Sequence, residues 1–89
     1  MKGIITVIGK DQVGIIAKVC TFLSNENINI LDISQTIIQG YFNMMMIVDI
    51  TNTSQRLEEL TESLKTLGEG IGVQIKLQHE DIFNSMHRI

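Results

Sequence analysis

Proline and tryptophan are absent from this chain, and aromatic residues make up only 4% of it. No Pro-rich linker or low-complexity segment divides it. One cysteine, Cys20, excludes an internal disulfide framework. Cationic excess is missing too: seven Lys and Arg against ten Asp and Glu leave a net charge of −3. A nucleic-acid binder usually carries a basic patch with stacking aromatics, so that class is excluded. No apolar run approaches membrane length, the longest, Met44 to Val48, being strand-sized. No signal-peptide pattern occurs, which makes the cytoplasm the expected compartment.

What is present suits one folded domain. The 89 residues are 44% hydrophobic and 19% charged, enough for a modest core. Ile4-Ile5-Thr6-Val7-Ile8 is a β-branched run, and strand one is expected from Gly3 to Gly9. A helix follows from Gln12 to Asn25, with Ile16, Val19, Cys20 and Leu23 on its inner stripe. Asn25 or Asn27 suits a left-handed cap at its end. Ile28 to Gln39 reads as strand two, Gln39-Gly40 as a tight hairpin, and Tyr41 to Ile50 as strand three. Thr53 or Ser54 is expected to cap a second helix carrying Leu57, Leu60, Leu64 and Leu67 on one side, with Gly68 ending it. Strict alternation from Ile71 to His79 predicts strand four. Asp81 to Ile89 carries Ile82, Met86 and Ile89 at helical spacing.

The order βαββαβ predicts an α+β, ferredoxin-like fold over residues 1–80 with a short helical tail over 81–89. Its sheet would be antiparallel in order 4-1-3-2, with two helices on one face. Strands one and three are apolar on both faces, so the uncovered face needs a second subunit or the tail to cover it.

The chemistry concentrates where strand one hands over to the first helix. Asp11 is placed to cap that helix, Gly14 leaves its first turn bare, and free backbone N–H groups gather there. Asp11, Gln12, Val13, Gly14 and Ile15 are therefore the candidate ligand residues, the backbone N–H groups near Val13 to Ile16 suiting an anion. The plainer reading of Asp11 is a helix cap and nothing more. His79, Glu80, Asp81 and His87 match no compact metal motif and read as surface residues. Cys20 reads as a buried inert thiol. No residue pairing suggests catalysis, and no cofactor is expected. An acylphosphatase-like enzyme would need an arginine in or just after the first loop, where the only cation is Lys10.

Three segments carry a resemblance. Ile4-Thr6-Val7-Gly9-Lys10-Asp11-Gln12-Val13-Gly14-Ile15-Ile16-Ala17 is followed a helix later by Ile28-Asn29-Ile30-Leu31-Asp32. The ending has Gln78-His79-Glu80-Asp81-Ile82-Phe83 and Met86-His87-Arg88-Ile89. Together they resemble the ACT domain, above all the small stand-alone proteins of bacteria and archaea that consist of one such domain. The regulatory ACT domains of formyltetrahydrofolate deformylase and the glycine-cleavage repressor are next. The resemblance implies pairing of subunits, and an amino acid or similar small ligand bound between them, beside the first loop and the start of strand two. It adds Asn29 to the ligand residues: backbone N–H groups near Val13 to Ile16 would take the carboxylate, and Asp11 with the Asn29 amide oxygen the ammonium. The plainer reading of Asn29 is a local backbone contact. It also implies action on a separate partner enzyme, with a ligand-free assembly module as the rival. Val13 stands where many members have proline, and Gly9 where some serine-binding members have histidine, so ligand identity does not carry over.

Overall fold

The computed structural model describes residues 1–79; the expected tail, with the calls on Ile82, Met86, His87 and Ile89, lies outside them. The elements are β1 (Lys2–Lys10), α1 (Ile15–Asn25), β2 (Asn29–Ile38), β3 (Tyr41–Asp49), α2 (Leu57–Ile71) and β4 (Val73–His79). All pairings are antiparallel and the strand order is β2-β3-β1-β4. This is the expected ferredoxin-like sheet, read from its other edge. Gln39 and Gly40 both take positive φ, 52° and 82°, the geometry that closes a two-residue hairpin. Asn27 supplies the left-handed residue after α1, at φ 58°.

Alternation along β1 and β3 buries Ile5, Val7, Phe42, Met44, Met46 and Val48 against the helices. Val73, Ile75 and Leu77 of β4 join them, as do Ile15, Val19 and Leu23 of α1 and Leu60, Leu64 and Ile71 of α2. Each such side chain contributes about 1.5–3 kcal/mol on burial. The inner stripe of α1 thus starts one residue earlier than the sequence suggests, leaving Ile16 exposed and Cys20 half-buried.

Three helix ends differ from expectation. α1 begins at Ile15, capped by Gly14 at φ 95° with no side-chain hydrogen bond, so Asp11 is not the cap. The cause lies in β1, which stays paired through Lys10 opposite Tyr41, so Asp11 directly follows the strand and the helix starts only after Gly14. α2 is capped by Arg56, whose backbone N–H donates to the Glu59 carboxylate at 2.9 Å; Thr53 instead accepts from the Gln55 N–H at 3.4 Å. At its far end α2 runs through Gly68 to Ile71, and Gly72 at φ 86° closes it by donating to the Gly68 carbonyl at 2.8 Å. Gly68 serves packing: a Cβ there would stand 2.6 Å from the Val73 carbonyl oxygen.

Away from the helices, Ile8, Tyr41 and Met45 are exposed, Ile47 is half-buried and Ile4 is buried. In register, the edge strands place Asp32, Ser34 and Thr36, and Gln74, Lys76 and Gln78, on that face. Its apolar patch lies on the two central strands and reaches the edge only at Ile38, opposite Tyr41. No described helix is long and apolar enough to cross a membrane.

Candidate functional site

The loop between β1 and α1 is held at two points. The Asp11 backbone N–H donates to the Gly40 carbonyl at 2.8 Å, tying the loop to the β2–β3 hairpin. The Gln12 side-chain amide donates to the Ile71 carbonyl, tying it to the end of α2. Between these anchors Val13 is 99% exposed and Gly14 turns the chain in the left-handed region. A Cβ at position 14 would meet only Lys18, 3.9 Å away, so what glycine supplies here is the positive φ. The first bond of α1 runs from the Lys18 N–H to the Gly14 carbonyl at 3.0 Å. The N–H groups of Ile15, Ile16 and Ala17 therefore precede the helical ladder and are available as donors. Of the six predicted residues, Asp11, Gln12, Val13, Gly14 and Ile15 form this continuous rim.

Asn29 does not join them within one chain. It opens β2 opposite Asp49, while the loop sits at the other end of the same hairpin, where Lys10 pairs with Tyr41. The nine residues of β3 separate the two ends, roughly 25 Å at the usual rise per residue. Asn29 lines a cavity of about 600 Å³ with Cys20, Leu23, Ser24, Asn27 and Asn52. The sequence reading missed Ser24 and Asn52 altogether and took Asn27 only as a cap. Repeated Asn and Ser in the two polar breaks was the signal available. Among the described residues no charged side chain lines that cavity, and its polar contacts come from amides, a hydroxyl and the Cys20 thiol.

Charge near Asn29 comes from its register partner. The Asp49 carboxylate accepts from the Thr51 hydroxyl at 2.6 Å and from the Thr51 backbone N–H at 3.0 Å. The hydroxyl first, then the backbone N–H, holds its pKa below the usual carboxylate value. Among the described residues no cluster of three His, Cys, Asp or Glu could hold a metal ion.

β2 itself is the feature between the two half-sites. It is an edge strand of ten residues, bulged at Leu31. Its register places Ile33 and Ile37 on the helix side, opposite Met46 and Phe42. Yet neither helix reaches them, and they stand 44% and 52% exposed.

Residues 3–78 match the ACT domain family. A UPF0237 protein of Bifidobacterium longum is 60% identical over 88 residues, covering 99% of this chain and 98% of its own. Among solved structures, an ACT domain protein from Streptococcus pneumoniae is 40% identical with a TM-score of 0.84, over 93% of each chain. The ligand-free regulatory subunit of aspartate kinase from Thermus thermophilus is 28% identical with a TM-score of 0.67, over 89% of this chain and 51% of that one.

Proposed function

This chain belongs to the ACT domain family, and on that premise we propose that it is a non-catalytic, cytoplasmic regulatory domain. Two copies bind a small molecule, an amino acid in the first instance, and act in trans on a partner enzyme or regulator. The observation that carries this reading is the separation of the half-sites along β2. An antiparallel two-fold pairing through that edge would bring the loop of one copy to Asn29 of the other. It would also cover Ile33 and Ile37, whose exposure otherwise costs burial energy.

The chemistry then suits a zwitterion. N–H groups of Ile15 to Ala17, at the positive end of α1, take the carboxylate. Asp11 from the same copy and the Asn29 amide oxygen from the other take the ammonium. The uncharged cavity beside Asn29 receives the side chain. An acylphosphatase-like reaction has no support at this loop. The one described arginine, Arg56, starts the 15-residue α2 whose far end meets Gln12, about 20 Å along the helix.

A thermal-shift screen over amino acids and related metabolites tests the reading. A ligand at a hundred times its Kd should stabilise the fold by about 2.7 kcal/mol, and Asn29→Ala should remove most of that gain. A dimer that binds none of the panel is an assembly module instead.

A further inference from the structure

One residue on the helix-free face is covered where its counterpart is not. Ile4 and Ile8 stand on the same side of β1, each flanked along the strand by Thr6 and a lysine. Each also has a strand on either side: Ile47 and Gln78 flank Ile4, while Asn43 and Gln74 flank Ile8. Ile8 is 47% exposed, and Met45, enclosed by β1 and β2, is exposed as well. Strand neighbours alone therefore leave a large side chain on this face in contact with water. Ile4 is only 5% exposed, yet it lies outside the cluster packed beneath the helices. Around it Thr6, Ile47 and Gln78 are half-buried, whereas Gln74 and Lys76, toward the other end of β4, are exposed. The cover over this end comes from beyond the sheet.

Position identifies that cover. Both described helices pack on the other side of the sheet. β4 ends at His79, opposite Gly3 and beside Ile4 in register. Residues 80–89 continue the chain from that point and carry Ile82, Phe83, Met86 and Ile89. At helical rise they would extend about 15 Å, which matches the roughly 14 Å from β4 across β1 and β3 to β2. Charge agrees with that direction. At this end the face carries Lys76 on β4 and Lys2 on β1, then Asp49 on β3 and Asp32 on β2. The segment starts with Glu80-Asp81 and continues to His87-Arg88. We propose that residues 80–89 fold back across this end of their own sheet as a short helix, setting Ile82, Met86 and Ile89 over Ile4 and Ile47. The acidic start would then fall by the lysines and the basic end by the aspartates. Ile8 and Tyr41 stay outside the cover. The inference involves neither the first loop nor the cavity beside Asn29, and it needs no amino-acid ligand.

Methyl NMR on the full chain tests it. NOE contacts should join the Ile4 δ1 methyl to methyl groups of Ile82, Met86 or Ile89, and a soluble gadolinium chelate should broaden Ile8 while sparing Ile4. In a mixture of labelled and unlabelled copies, filtering should show that these contacts arise within one copy. The full-length double variant Ile82→Asp with Met86→Asp should let the chelate broaden Ile4 to the level of Ile8, leaving Ile8 unchanged. Where that variant does not fold, the contacts in the parent decide. An Ile4 methyl that touches none of the three residues, or that stays as protected in the folded variant as in the parent, would overturn the proposal. Contacts found only between copies would make a second copy's segment the cover and overturn it equally. None of these results bears on the amino-acid site.

Discussion

β4 and β2 are both edge strands of one sheet, yet their helix-side residues meet different fates. At β4, Val73, Ile75 and Leu77 are buried beneath α2. At β2, Ile33 and Ile37 point to the same side of the sheet and remain about half exposed. The helices cover β4 and, on β2, reach only Ile30 at its start. β4 is finished within one chain, offering only its backbone edge, whereas β2 lacks an edge partner and, beyond Ile30, a cover. The physical lesson is that the core is incomplete on the side where the two half-sites lie. Under the proposed pairing, completing the core and completing the site are one event.

The largest effect should come from breaking the β2 side. Ile33→Asp together with Ile37→Asp places charges where the second copy would pack. Light scattering should then fall from about twice the 10.0 kDa chain mass to a single chain. Amino-acid binding should vanish with the dimer. A monomer that keeps its ligand affinity would show that the site is complete within one chain.

On the β4 side the test is packing. Gly68→Ala sets a Cβ 2.6 Å from the Val73 carbonyl oxygen, a backbone atom that cannot swing away. Overpacking of this kind costs about 1–3 kcal/mol, more than the gain in helix propensity over glycine of about 1 kcal/mol. Gly70→Ala, two residues on and exposed, meets nothing within 4 Å and should stabilise by about 0.4–1 kcal/mol. A shift of about 4–8 °C per kcal/mol in so small a domain makes both visible in a melting curve. Equal shifts in the same direction would mean that α2 does not sit against β4 as described.

The same two glycines show where the sequence was legible. The leucines of α2, the alternation of β4 and the Gln39-Gly40 hairpin were local patterns, and each element formed, although Ile71, read as the start of strand four, closes α2 and β4 begins at Val73. Gly68 was misread as a helix stop because its role is set by a carbonyl five residues ahead in another element. Asp11 was misread as a cap because pairing of Lys10 with Tyr41 decides where β1 ends. Local pattern named the loop and the family resemblance added Asn29, but only the register of the hairpin puts them at opposite ends of β3. Binary pattern fixes which face a residue takes within its strand; it does not say whether a helix arrives to cover it, as Ile33 and Ile37 illustrate.

The smallest effect sharpens the contrast at the start of β2, where Asp49 stands opposite Asn29. Its carboxylate is held below its ordinary pKa by the Thr51 hydroxyl, then by the Thr51 backbone N–H, with a lesser contribution from the Met1 amine 3.8 Å away. A depressed folded pKa means stability that is present above the unfolded value, about 3.9, and lost as pH falls through it toward the folded value. Acid should therefore loosen the start of β2 below about pH 4, while Val73 to Leu77, far from this tie, keep their protection. The Asp49 side chain is 41% exposed, so salt should mute the effect. Thr51→Val removes the hydroxyl donor and should return the Asp49 pKa toward its ordinary value, so the variant has less of this stability at neutral pH and less of it to lose in acid. Amide protection at Asn29 and Ile30, followed from neutral pH into acid for both proteins, measures that difference. If parent and variant lose equal protection, the Thr51 hydroxyl does not hold this end of β2, and its acid response has another source.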